Sequence, residues 1–247
     1  DLDEAERTDR IDAARAELGD DVVVLGHNYQ RREIVEHADF VGDSYELSTK
    51  AAEADADYVV FCGVTFMAES ADIITDDDQT VLLPSMEASC PMAGMAEALQ
   101  VDAAWEEMTA AAGDRDIVPV TYMNSYADLK AFCAEQGGLV CTSSNAADAF
   151  EWALDRGDAV LFLPDKYLGT NTAHELGLES ETATWDPWDP ESADAADVVD
   201  ASIICWDGYC QVHERFTADH VAQVREDYAD AQVVAHPECR REVVEAA

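Results

Sequence analysis

The chain of 247 residues sets 54 acidic side chains against 14 basic ones, a formal net charge of -40. Nucleic-acid binding is excluded, because phosphate neutralisation needs clustered Lys and Arg. With 48% hydrophobic residues the chain can build packed cores, which excludes general disorder, and no apolar run approaches the ~20 residues of a membrane span. The acids are spread along the chain rather than gathered in a tail, which reads as a halophile's surface, with salt screening the self-repulsion. No basic, apolar, cleavable leader precedes the first predicted strand, so the expected location is the cytoplasm. Seven cysteines, an odd number, make a poor disulfide framework, and a reducing compartment leaves them to burial, metal binding or catalysis.

Residues 22–29 (VVVLGHNY) form the first of three apolar runs that end in a compact polar signature. Such a run reads as a strand buried on both faces, and in open parallel α/β sheets ligands bind beyond the carboxyl ends of the strands. A helix is predicted over 46–54, apolar runs that end in polar residues over 58–63 and 80–90, each again read as a strand and its end, and a helix over 92–99. The second signature, residues 117–126 (IVPVTYMNSY), opens another series: a helix over 126–135, an apolar run with a polar end over 138–145, a helix over 146–156, then two more such runs over 159–169 and 202–210. Between the last two lies WDPWDP at 185–190, followed by an acidic stretch, a surface excursion with two Pro-defined turns. A helix over 218–228 leads to the third signature, residues 232–239 (QVVAHPEC).

The alternation of strand and helix predicts an α/β protein with parallel sheets covered by helices, built as a repeat of small units over 1–100, 101–215 and 216–247. The third unit has barely begun when RREVVEAA ends the sequence, so the expectation is a chain truncated at its C-terminus.

Cys62, Cys133, Cys141 and Cys205 fall in predicted strands or helices and read as small buried hydrophobes. Cys90 and Cys210 differ, since each follows the last strand of its unit in a loop of small or flexible residues, and soft thiolates suit iron–sulfur clusters or zinc. Cys239 is a weaker candidate, because it belongs to the first strand-end of its unit. His27, His213 and His236 lie in polar signatures, where substrate binding or proton transfer is favoured, while His37, His174 and His220 lie on or near helices and read as structural. Glu238 is either a helix-start carboxylate or a general base. Ser44 and the run 142–145 are either ordinary helix N-caps, anion sites, or both.

Taken in order, GHNYQ, Gly42-Asp43-Ser44, Cys90-Pro91-Met92-Ala93, TYMNS, CTSSNA, PDKYLG, GYCQVH and HPEC resemble the quinolinate synthase family of NAD biosynthesis, over nearly the whole chain. The resemblance implies a pseudo-threefold arrangement of three-layer αβα domains, with the active site at the domain junction. It also implies a 4Fe-4S cluster held by one cysteine per domain, leaving one iron open for substrate. Cys90 and Cys210 match two of the ligands, and the third is expected beyond residue 247. The implied reaction condenses iminoaspartate with dihydroxyacetone phosphate to quinolinate, and implies a functional link to the enzyme that supplies iminoaspartate.

By the same resemblance His27 and Ser44 bind carboxylates, Tyr122 and Asn124 contact substrate, and Ser143 binds a carboxylate or phosphate. Tyr29 assists proton movement, His213 and His236 bind substrate or relay protons, and Glu238 is the acid/base. Two rival readings remain: a non-catalytic dicarboxylate-binding module, and a zinc-dependent lyase or aldolase. The family's phosphate-binding segment after HPEC is also absent, so this chain alone is expected to be inactive.

Overall fold

The computed structural model describes residues 2–189 and 195–247, which divide into two compact units, Asp1–Cys90 and Pro91–Ala247. The first runs α1 (Glu4–Leu18), β1 (Val22–His27), α2 (Arg32–Val35), β2 (Phe40–Gly42), α3 (Ser44–Glu53), β3 (Tyr58–Cys62), α4 (Thr65–Ile74) and β4 (Thr80–Leu82). Its four strands lie in the order β2-β1-β3-β4, all parallel. Pairing Leu25 with Phe61 puts the alternate residues Val23, Leu25, Val59 and Phe61 on one face. That face is buried, as are Leu47, Ala51, Phe66 and Ala71 of α3 and α4. The opposite face carries Val22, Val24, Val60 and Cys62, which with Ile11, Ala14 and Leu18 of α1 line a cavity of about 470 Å³.

The second unit holds α5 (Ala98–Ala112), β5 (Ile117–Tyr122), α6 (Ala127–Glu135), β6 (Leu139–Cys141), α7 (Ala146–Leu154), β7 (Ala159–Leu163), α8 (Lys166–Glu175), β8 (Thr182–Trp185), α9 (Ala195–Val198), β9 (Ile203–Trp206), α10 (Ala218–Asp227) and α11 (Arg241–Ala246). Its sheet runs β6-β5-β7-β9-β8, again wholly parallel. Helices cover both faces, as continuous apolar strands require. One face packs Ile117, Leu161, Leu163, Ile204 and Trp206 against Val101, Met108, Leu129 and Phe132. Trp206 also donates its indole N–H to the Met95 carbonyl at 2.6 Å. The α/β class with parallel sheets under helices, read from the sequence, is the observed architecture.

Three local expectations fail. No helix spans 92–99: a 3-10 turn covers Ala93–Met95, Ala96 leaves the helical region (φ -129°), and α5 starts only at Ala98. Trp185 is not part of a surface excursion but is 3% exposed, ending β8 opposite Trp206, whereas Trp188 is exposed. Pro190 and residues 191–194, the start of the acidic stretch, lie outside the described residues. Finally, residues 232–236 form no strand. A strand exists only by pairing, and among the described residues no third sheet offers this segment a partner. Val221, Cys239 and Val243 instead form a small apolar core with Val233 and Val244.

Candidate functional site

Both sheets present their predicted polar residues at the carboxyl ends of paired strands. In the first unit His27 ends β1 beside Gly42 of β2, and its buried ring accepts the Tyr29 N–H at Nδ1 (3.2 Å). A neutral imidazole that accepts at Nδ1 carries its proton on Nε2. That nitrogen lies 3.5 Å from Ser44 Oγ. Burial holds the His27 pKa below its ordinary value, against the opposing field of Asp43.

Ser44 is not the helix cap. Asp43 is, accepting the Glu46 N–H at 2.8 Å, so the Ser44 hydroxyl is turned toward His27. Tyr29 is 80% exposed and tilts against the His27 ring, with centroids 4.4 Å apart. Cys90, half-buried, is the last residue of this unit.

In the second unit Tyr122, at the end of β5, pairs with Cys141 at the end of β6. Tyr122 is buried, and Asn124 follows in a tight turn in which Ser125 Oγ donates to the Tyr122 carbonyl (2.7 Å). Ser143 follows β6 in a half-buried loop. Asn145 precedes α7 without capping it by its side chain, and its Oδ1 instead accepts from the Thr142 N–H at 2.7 Å.

The tightest constellation joins Cys210, His213 and Glu238, whose ligand atoms lie within 4.8 Å of one another. The Cys210 loop follows β9, and His213 opens a 3-10 turn. The 237–239 segment is tied to α8 by Asn171, whose side-chain amide donates to the Pro237 and Cys239 carbonyls at 2.8 and 2.9 Å. Glu238 is 3% exposed, with His213 Nδ1 at 2.9 Å and His236 Nδ1 at 3.1 Å from its Oε2. The two imidazoles stack at 4.6 Å and 14°.

Hydrogen bonds to Cys210 and then Glu238 push the His213 pKa up to about 10, so the ring is imidazolium at neutral pH. Burial opposes charge on Glu238, but hydrogen bonds from both histidines outweigh it and keep the carboxyl below its ordinary value. Glu238 Oε1 is buried with no hydrogen-bond partner among the described residues. The Cys210 sulfur can hold one metal corner, and the imidazolium and desolvated carboxylate beside it can move a proton on an adjacent ligand.

Cys133, Cys141 and Cys205 are buried; burial pushes the first two thiols up to about 12 and the third higher still, as inert core cysteines require. Cys239 is buried in the small apolar core and its thiol is raised by the same cause. Sequence reasoning missed Asp165, which is fully buried and accepts both the Leu168 N–H (2.8 Å) and the Cys210 N–H (3.1 Å). Burial, then the nearby Glu238 charge, push its carboxyl up to about 7. An Asp between a strand-ending Pro and a helix was the available signal.

The sequence model of the family described as "Quinolinate synthetase A protein" (NadA) matches residues 9–247. A curated quinolinate synthase of Halobacterium salinarum is 77% identical over 241 residues, covering 98% of this chain and 64% of that protein. One from Haloarcula marismortui is 75% identical over 247 residues, covering 100% and 66%. One from Acidobacterium capsulatum is 53% identical over 242 residues, covering 97% and 65%. The chain thus spans slightly less than two thirds of the length of these relatives.

Proposed function

This chain belongs to the quinolinate synthetase A family, and on that premise we propose that the protein acts as a quinolinate synthase, condensing iminoaspartate with dihydroxyacetone phosphate to quinolinate, phosphate and water. The observation that carries the reading is the convergence of Cys210, His213, His236 and the buried Glu238. Cys90 and Cys210 are the proposed thiolate ligands of a 4Fe-4S cluster. A single thiol beside His213 and Glu238 fits one corner of such a group, and the third ligand is expected outside residues 1–247. When bound, the cluster would supply Lewis acidity toward a leaving hydroxyl.

The remaining roles fall to the chain's own side chains. Neutral His27, donating from Nε2, and Ser44 would hold carboxylate oxygens in the first unit, with Tyr29 assisting proton movement. Tyr122, Asn124 and Ser143 would contact substrate at the ends of β5 and β6. Glu238, ionised between two imidazoles, would take a proton from carbon, and His213 and His236 would donate to developing oxyanions or relay protons. Residues 216–247 would begin a third αβα domain, the active site would lie at the domain junction, and residues 1–247 alone would make no quinolinate.

The seven cysteines form no disulfide among the described residues, which supports a reducing, cytoplasmic location, and no described helix is long and apolar enough to cross a membrane. An enzyme that delivers iminoaspartate is the expected functional partner. The Cys210–His213–Glu238 spacing also suits a single zinc ion, which keeps a zinc-dependent lyase as the second reading.

Anaerobic reconstitution of the protein, extended through its natural C-terminus, with iron and sulfide at high salt decides between them. Visible cluster absorption together with quinolinate formation supports the synthase. A colourless protein that binds zinc, or dicarboxylates alone, overturns it.

A further inference from the structure

Among the described residues of a chain with 54 acids, Asp165 and Glu238 are the two buried carboxylates, and both adjoin Cys210. We propose that Asp165 is a positioning residue for Cys210: its carboxylate ties the Cys210 loop to the N-terminus of α8 and so holds the thiol against His213 and Glu238. The inference rests on the proposed cluster role of Cys210 for its catalytic meaning, while the anchoring itself is independent of it.

The two oxygens of Asp165 divide the work. Oδ1 accepts the Leu168 N–H at 2.8 Å and caps α8; Oδ2 accepts the Cys210 N–H at 3.1 Å, 45 residues further along. The two strand-end loops are joined beside it, since the Lys166 N–H donates to the Gly208 carbonyl at 2.8 Å. Gly208 permits this approach, because a Cβ there would stand 2.3 Å from the Pro164 carbonyl oxygen. Farther out, Lys166 pairs with Asp207, and the Tyr167 hydroxyl donates to Glu214 Oε1 at 3.3 Å.

Capping alone does not call for this residue. A serine or threonine hydroxyl satisfies a helix-start N–H without bringing a desolvated charge into a fully buried position. An amide has one acceptor oxygen, and a hydroxyl on a short stem reaches one donor. A carboxyl group of this length offers two acceptor oxygens to backbone donors from separate loops, which offsets part of the cost of its burial.

The test uses residues 1–247 in the reduced, metal-free state at high salt, with iodoacetamide as the probe and each cysteine read by peptide mass spectrometry. D165S keeps a cap for α8 but releases Cys210; D165N keeps the shape with one acceptor oxygen and serves as the second variant. Alkylation of Cys210 should rise about tenfold in D165S, the effect of losing one hydrogen bond to a charged group, while Cys62 and Cys90 react as in the parent. In the reconstituted protein the same variant should show lower cluster absorption per chain.

An unchanged Cys210 rate in both variants overturns the proposal, as does a rise shared by the buried Cys133 and Cys205, which would make Asp165 a determinant of the fold alone. A parent protein that takes up no iron and sulfide would sink the cluster reading and leave the Cys210 measurement standing.

Discussion

His213 Nδ1 approaches Glu238 Oε2 to 2.9 Å while the His213 ring stacks on His236, so one buried carboxylate organises two imidazoles. Glu238→Gln keeps the shape and removes the charge. In the whole protein, quinolinate formation should fall by about 10²–10⁴, the usual loss for a general acid/base. Thermal unfolding, followed by circular dichroism, should show the fold retained.

His27 makes stability sensitive to acid. Its folded pKa lies below the ordinary 6.5, so in the window below 6.5 the unfolded chain binds a proton that the folded chain refuses. Stability from this group is therefore complete above 6.5 and is lost as pH falls toward the folded pKa. His27→Gln should flatten that part of the slope in denaturant titrations between about pH 5 and pH 8.

Asp43 and Ser44 should separate cleanly. Asp43→Ala removes the α3 cap and should cost about 1 kcal/mol in a denaturation experiment. Ser44→Ala should leave the unfolding midpoint nearly unchanged and raise KM in the quinolinate assay, because its hydroxyl faces His27 rather than the helix.

The formal charge of -40 makes the fold depend on salt. Raising KCl from about 0.1 M to about 2 M shortens the screening length to a few ångströms, and the unfolding temperature should climb across that range. A midpoint independent of salt would sink the halophile reading.

The parallel sheets were legible because apolar runs such as 117–122 and 159–163 carry their own burial pattern, and the polar signatures marked the strand ends. Three things were not. Residues 92–99 have helix formers, yet the local backbone breaks at Ala96, and propensity does not report that. Trp185 sits in a Pro-rich stretch that reads as a turn, and only its pairing opposite Trp206 reveals a core residue. Residues 232–236 have strand composition but no neighbour to pair with, and pairing is a tertiary fact. In the second unit the candidate residues His213, His236 and Glu238 stand out in the sequence by their signatures, whereas Asp165 was hidden inside PDKYLG because a cap and an anchor look alike in one dimension.

Val234 is 90% exposed in the segment that has strand composition without strand pairing. A strand needs a neighbour, and on the proposed reading of residues 216–247 as the start of a third domain, Val234 lies where that domain's sheet would pair. A proline at position 234 would block that pairing without touching Cys210, His213 or Glu238.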